Sequence, residues 1–203
     1  MRMKGMVVIF ALLASTAFAQ DLMPKSEISA GYTFGSLDQG SGFSRANSNG
    51  WHTGMNTYLS KWLGIEGNCA GLGHTDSASI TDPISGNTVS SSVSQKHLTF
   101  VAGPRIGFGS SKFNPYFHTL FGMDRLSIDS KSNVLGQAID ISASDTGFAW
   151  VLGGGTEIGM TPHFALNTGF DYLMTRHGSA SQNNVRLMLG VAYRFGQSSG
   201  RGK

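Results

Sequence analysis

The 203 residues of the chain are enough for a single domain, and only 13% of them are charged. The formal net charge of +3 comes partly from Arg2 and Lys4; without these two, 13 basic residues stand against 12 acidic ones. This balance gives no reason to expect nucleic acid as a partner. Cys69 is the only cysteine, so no intrachain disulfide can hold the fold together.

The first 19 residues have the three parts of a secretory signal peptide in the usual order. Arg2 and Lys4 supply positive charge, residues 6–13 form an apolar run too short to span a bilayer, and Ala17-Phe18-Ala19 is a small-residue cleavage pattern. We expect cleavage after Ala19, a mature domain over residues 20–195, and a short polar tail at 196–203. The mature protein is therefore expected to be exported.

After the leader, the apolar residues alternate with polar or small ones, which is the period of a β-strand. In the last segment, Val185, Leu187 and Leu189 share one face, while Arg186 and Gly190 lie on the other. No later run is long enough for a transmembrane helix. Eight segments show this pattern: 27–34, 51–59, 63–72, 98–108, 116–126, 147–158, 164–173 and 183–195.

The connections between these segments are short and long in turn. Three are short, whereas others are long and polar, notably residues 73–95 and 127–145. Eight strands of about ten residues, with short turns at one end and long loops at the other, are typical of a bacterial outer-membrane barrel. The sequence thus predicts an all-β fold, a closed eight-stranded antiparallel transmembrane β-barrel.

In such a barrel the apolar face meets lipid, and the polar, glycine-rich face fills a narrow interior. Aromatic residues are then expected in two belts at the membrane interfaces. The alternative is a soluble, lipocalin-like barrel in the periplasm, which would need an apolar interior. The residues predicted to form the belts are Trp62, Phe108, Phe117, Tyr193 and Phe195 near the short turns, and Phe34, Trp51, Phe148 and Tyr172 near the long loops.

Three segments carry a resemblance to a known family: residues 114–122, 148–159 and 185–195, the last ending in the aromatic Phe195. In these the chain resembles the small outer-membrane β-barrels, similar to the membrane domains of outer-membrane proteins A and X. The resemblance implies a location in the bacterial outer membrane, insertion by the barrel-assembly machinery, contact with outer-membrane lipid, and a monomer. The residues after Phe195 depart from the family, whose chains usually end at that aromatic.

Charged residues on the predicted inner face are the candidate functional residues. An unpaired buried charge is costly, so we expect these side chains to form ion pairs. Counting from the turns places three pairs of opposite charges at similar heights on neighbouring strands: Glu66 with Arg105, Asp171 with Arg186, and Glu27 with Arg194. One interpretation is a plug that fixes the barrel; the other is a narrow ion path opened by exchange of partners. The full predicted network is Glu27, Glu66, Arg105, Asp124, Glu157, Asp171, Arg186 and Arg194.

Other kinds of site have less support. His97 and His118 have hydroxyl neighbours, but no nucleophile, base and orienting group stand together, so a lipid-modifying enzyme is only the alternative function. The six histidines show no HxxxH spacing, and residues 153–159 lack the last glycine of a nucleotide-binding fingerprint. We expect no catalytic residues, metal or cofactor. The long polar loops at 36–50 and 73–95 are the expected contact with a ligand outside the cell.

Overall fold

Eight β-strands make up nearly all of the described chain. The computed structural model describes residues 24–38, 44–81, 88–134 and 137–197. The predicted signal peptide and residues 198–203 of the predicted tail lie outside the described residues, whereas Gly196 and Gln197 still belong to the last strand. Among the described residues, no helix has the length and apolar character needed to cross a membrane. The strands are β1 (Pro24–Leu37), β2 (Ala46–Tyr58), β3 (Leu63–Thr81), β4 (Thr88–Gly107), β5 (Phe113–Val134), β6 (Gln137–Gly159), β7 (Phe164–His177) and β8 (Ala180–Gln197).

Each strand pairs in antiparallel fashion with its neighbours, and β1 also pairs with β8, so the sheet is a closed barrel. A walk across the ladders from Ser36 in β1 through all eight strands returns to β1 at Ser26, ten residues away. This offset means that the strands are tilted relative to the barrel axis. The predicted fold class, with eight antiparallel strands and closure between the first and the last, is confirmed.

The two faces of the barrel wall differ as the alternation predicts. Phe117, Phe121 and Leu189 are about half exposed on the outside, while Leu120, Met188 and Gly190 between them point inwards and are buried. The soluble lipocalin-like alternative requires the large apolar side chains inside, so that alternative is wrong. An apolar exterior suits a closed barrel surrounded by lipid, where no backbone edge is left unpaired.

Glycine allows close approach where the barrel closes. Gly31 on β1 lies opposite Gly190 on β8, and a Cβ added to Gly31 would overlap the Leu189 carbonyl oxygen and the Gly190 Cα. The added atom would also come within 2.7 Å of the His52 ring. Larger residues at this position would push the first and last strands apart.

Short turns close one end of the barrel, at residues 59–62, 108–112 and 160–163. The Leu59 amide donates to the Leu63 carbonyl at 2.8 Å, and the Met160 amide donates to the Phe164 carbonyl at 2.9 Å. We call this the short-turn end. At the opposite end, Gly178 has a φ of 59° in the turn between β7 and β8, a conformation that glycine adopts without strain.

The prediction of long loops at 73–95 and 127–145 is wrong, because most of these residues belong to β-strands. Residues 73–81 pair with 88–96, and 127–134 pair with 137–144. Residues 90–97 also pair with 126–133, so the hairpins join into one four-stranded sheet. We call this the projecting sheet, formed by residues 74–81, 88–97, 126–134 and 137–146. The predicted loop at 36–50 is likewise strand at 36–37 and 46–50.

The polarity of the two faces reverses where the projecting sheet leaves the barrel. Outward positions now carry hydroxyls and charges, such as Ser77, whose Oγ lies 3.2 Å from Ser92 Oγ, and Lys131 opposite Asp140. The apolar side chains lie on the face continuous with the barrel interior. They are exposed by 37% to 76%: Ile80, Val89, Val93, Ile128, Ile139 and Ile141.

Candidate functional site in the barrel interior

Alternation within each strand places the charged candidates inside the barrel, and the strand register brings their partners together. Asp171 is the register partner of Arg186, and Glu27 is the partner of Arg194, so each pair shares a face. Arg186 and Asp171 are fully buried. Buried charges of this kind require a partner.

The cluster near the short-turn end is a chain of five charges. Arg105 donates to Glu157 Oε1 and, over 3.3 Å, to Glu66 Oε2. Arg194 donates through Nη2 to Glu157 Oε2 at 3.2 Å and through Nε to Glu27 Oε1 at 3.1 Å. The order Glu66–Arg105–Glu157–Arg194–Glu27 alternates in sign, so each charge faces its opposite.

Aromatic and amide groups complete this cluster. The Arg105 guanidinium lies 3.6 Å from the centre of the Tyr116 ring, a distance suited to a cation–π interaction. Asn114 Nδ2 donates to the Tyr58 hydroxyl at 2.7 Å, and the Tyr116 hydroxyl donates to Asn167 Oδ1 at 3.1 Å. These contacts fix the carboxylates and guanidiniums from several strands at once.

His118 connects the cluster near the short-turn end to the pair formed by Asp171 and Arg186. Its Nδ1 lies 3.0 Å from Glu66 Oε2, and its Nε2 lies 2.9 Å from Asp171 Oδ1. Asp171 Oδ2 in turn accepts from Arg186 Nη2 at 2.7 Å. Seven of the eight predicted charges therefore belong to one connected set, with His118 as its bridge.

The eighth, Asp124, forms a separate cluster near the long hairpins. Its Oδ2 lies 2.7 Å from His97 Nδ1 and 3.2 Å from His177 Nε2, and its Oδ1 accepts from Thr99 Oγ1 at 2.8 Å. His177 Nδ1 also lies 3.5 Å from Asp145 Oδ2. Within the described strands, no group of three or more His, Cys, Asp or Glu side chains is arranged to hold a metal ion.

An apolar layer lies between the two clusters. Its members are buried and in contact: Val101, Leu120, Ala149, Val151 and Leu173. At the short-turn side, a void of about 10 Å³ among Glu27, Asn56, Glu66 and Arg105 has room for about one water molecule. Among the described residues, Glu27 Oε2 and both side-chain polar atoms of Asn56 have no hydrogen-bond partner, so they are the groups such a water would satisfy.

The structure places the three sequence-predicted pairs in contact, and it adds residues that the sequence analysis did not select for the network. His97, His118 and His177 were considered only as catalytic or metal-binding groups. Two of them could have been found, because His97 and His118 occupy inward positions of the same alternation that selected Arg105 and Asp124. His177 lies at the end of β7, beyond the predicted segment 164–173.

The predicted belt residues all lie on the outside of the barrel, exposed by 36% to 62%. On β7, Phe164 and Tyr172 lie eight residues apart and mark the two edges of the apolar band. That spacing is ~27 Å along the strand and ~20 Å along the axis of a barrel tilted by ~40°, close to the ~25 Å of an outer-membrane apolar band. β5 begins at Phe113, and Phe117 lies four residues further along the strand, opposite Ile106 near the end of β4.

The structure resembles that of Ail, the attachment invasion locus protein of Yersinia pestis, with 20% sequence identity, a TM-score of 0.56, and coverage of 85% of this chain and 100% of Ail. Neisserial surface protein A is 13% identical over 84% of this chain and 97% of that protein, with a TM-score of 0.48. A comparison with curated proteins returns no match. The model of the outer membrane protein beta-barrel domain family matches residues 6–195, so the chain belongs to this family of barrels, which cross the outer membrane by their strands.

Proposed function

We propose that this protein is a monomeric surface-contact protein of the bacterial outer membrane, in which a closed barrel presents the projecting sheet outside the cell. The projecting sheet carries the proposal, because it continues four strands in register well beyond the barrel. A mobile loop would be enough to connect two strands. A paired, extended surface instead supports recognition of a partner.

Two features of the projecting sheet suit such contact. Within the described residues, the segment 75–80 of β3 does not pair with β2, and the segment 137–146 of β6 does not pair with β7. The projecting sheet therefore has two open edges. Open edges can accept an extended polypeptide through backbone hydrogen bonds. The exposed apolar side chains on the inward-facing side, including Ile139 and Ile141, provide an adjoining contact face.

The export route and the interior belong to the same proposal. The signal peptide would direct the chain to the periplasm, where cleavage after Ala19 would release the mature protein. The barrel-assembly machinery would then insert the barrel with its short turns on the periplasmic side. The ion-paired clusters and the apolar layer around Leu120 support a lumen that is closed at rest. We propose no catalytic activity, since Ail is described as an attachment protein rather than as an enzyme.

Shortened hairpins test the proposal. Deleting residues 76–93 and 129–142 and joining each cut with Asn-Gly keeps the pairs Thr75–Ser94 and Ile128–Ala143 as hairpin ends. We expect bacteria that display the full chain to adhere to gelatin or immobilised heparin at least roughly tenfold better than bacteria that display the shortened chain. Heparin is included because Ail has been solved with the heparin analogue sucrose octasulfate.

The controls separate loss of contact from loss of folding. The shortened barrel must still migrate faster without heating in mild SDS, as a closed barrel does. Ile139→Ser with Ile141→Ser should reduce adhesion to gelatin, whereas Ser77→Ala with Ser92→Ala on the other face should not. Equal adhesion by full and shortened chains to both surfaces would contradict the proposal.

A further inference from the structure

Three basic side chains form a short row on the outside of the barrel, where its apolar surface ends. Lys96 on β4, Arg125 on β5 and Arg176 on β7 point outwards and are exposed. We propose that this row, the basic rim, binds phosphate groups on the headgroup of an outer-leaflet lipid. The proposal rests on the proposed orientation, in which the long hairpins face the outside.

The strand register places the three side chains at one level. Arg125 pairs with Leu98, two residues from Lys96, and also with Thr146. Thr146 is two residues from Phe148, the partner of Arg176. Because the strands are tilted, following register partners from β7 to β4 shifts the position towards the short-turn end. The two steps of two residues run towards the long hairpins and offset this shift, so the row stays at one height around the barrel.

The surface directly below the basic rim is apolar. Leu98, Met123, Phe148 and Met174 are the outward residues next nearest the short-turn end on β4 to β7, and Met123 and Phe148 are about half exposed. Within the described strands, no Asp, Glu, Lys or Arg points outwards between this level and the short-turn end. The row therefore lies where acyl chains end and headgroups begin, in continuity with the lipid-facing surface.

Charge complementarity favours an anionic headgroup at this place. In the described chain, no acidic side chain pairs with Arg125 or Arg176, while Lys96 Nζ lies 3.9 Å from Asp129 Oδ2, a loose contact on the hairpin side of the row. Ser127 and Thr146 supply outward hydroxyls beside the row. Cations near an anionic membrane surface are attracted to it, and guanidinium groups bind phosphate with two parallel hydrogen bonds.

One further cation lies near this level on the other side of the barrel: exposed Arg45, whose Nε donates to Ser36 Oγ at 2.9 Å. The outward residues Asn47 on β2, Gly73 on β3 and Asn183 on β8 are uncharged, and the Asn183 amide donates to Asp38 Oδ2 at 3.3 Å. Lys96 and Arg176 are three strand spacings and four residues apart, which is ~20 Å along the wall. Lys96 and Arg125 are one strand spacing and two residues apart, which is ~8 Å and close enough for both cations to contact one phosphorylated headgroup.

Lipid binding by the full chain tests this assignment. We would reconstitute the protein in phosphatidylcholine vesicles with diphosphoryl lipid A or with the same lipid after removal of its phosphates, and count bound lipid A by native mass spectrometry. The variant Lys96→Gln/Arg125→Gln/Arg176→Gln should bind diphosphoryl lipid A roughly tenfold or more weakly than the wild type. Wild-type binding should fall similarly when the phosphates are removed.

A matched control removes the same charge elsewhere. Lys61 and Lys112 lie in the short turns and Lys131 lies on the projecting sheet, so Lys61→Gln/Lys112→Gln/Lys131→Gln should bind like the wild type. Equal binding by the wild type and the rim variant would overturn the proposal. So would a rim that takes soluble sucrose octasulfate while showing no preference for phosphorylated lipid A. None of these results depends on adhesion by the projecting sheet, so the two proposals can fail separately.

Discussion

At the scale of single residues, the barrel interior resembles a packed core built from charges. Arg105 contacts two carboxylates and a tyrosine ring, and His118 has a carboxylate at each ring nitrogen. In a low-dielectric interior, each such group is stable only as long as its partners remain. The network therefore fixes the positions of the interior side chains, and the loss of any single member destabilises the others.

Glu66→Gln is the sharpest test of this network. The substitution removes the carboxylate shared by Arg105 and His118, although Arg105 keeps Glu157. We expect the free energy of unfolding to fall by about 2 kcal/mol, because a buried charged donor loses an acceptor. We also expect more frequent brief conductance steps in planar bilayers, because Arg105 then keeps one carboxylate partner instead of two and the lumen is held closed less firmly.

Asn68→Ser on the same face of β3 is the control, since Asn68 is buried without any ion pair. It should leave the conductance as in the wild type. A Glu66→Gln protein with unchanged unfolding and unchanged conductance would show that the pair has neither a structural nor a gating role.

The sequence could predict contacts between neighbouring strands but not contacts across the lumen. Asp171 and Arg186 lie on adjacent strands, so counting from a turn is enough to pair them. Glu66, His118 and Asp171 lie on β3, β5 and β7, and their contacts depend on the barrel radius and side-chain reach rather than on register. Alternation alone carries no information on those distances.

At the scale of strands, the extent of β3 to β6 was the main difference from the sequence prediction. In the barrel the outward apolar residues of β5 are odd-numbered, such as Phe121 and Met123, while in the projecting sheet the apolar residues are even-numbered, such as Leu126 and Ile128. This change of phase looks like the end of a strand. The change of phase follows from a change of surroundings, because an apolar outer face suits lipid and a polar outer face suits water.

Close packing of strands is also testable. Gly31→Ala places a methyl group against the Leu189 carbonyl oxygen and the Gly190 Cα, where β1 meets β8. We expect the free energy of unfolding, measured in urea with lipid vesicles, to fall by about 1–3 kcal/mol, as for overpacked cores. Gly67→Ala is the matched control, because a Cβ there has no atom within 4 Å. Equal effects of the two substitutions would mean that strand closure does not limit stability.

At the scale of the whole molecule, one end of the barrel faces the periplasm and the other faces the outside of the cell. The orientation of the barrel decides which end carries the surface contact. The short-turn end has compact turns that carry Lys61 and Lys112, and the other end has the projecting sheet. A closed ring exposes no edges to lipid, so the open edges among the described residues lie on the hairpins beyond the barrel. Surface contact through the projecting sheet therefore requires that end to face outwards.

Cysteine labelling on intact cells tests this orientation. Cys69→Ser removes the only cysteine, after which Ser79→Cys places one thiol on the projecting sheet and Lys61→Cys places one in a short turn. Both positions are exposed, so burial does not limit their reaction. A membrane-impermeant maleimide should label Ser79→Cys on intact cells and Lys61→Cys only after lysis, because the reagent cannot pass a lumen filled by paired charges and apolar side chains. The reverse pattern would invert the barrel and place the projecting sheet in the periplasm, where contact with surfaces outside the cell is impossible.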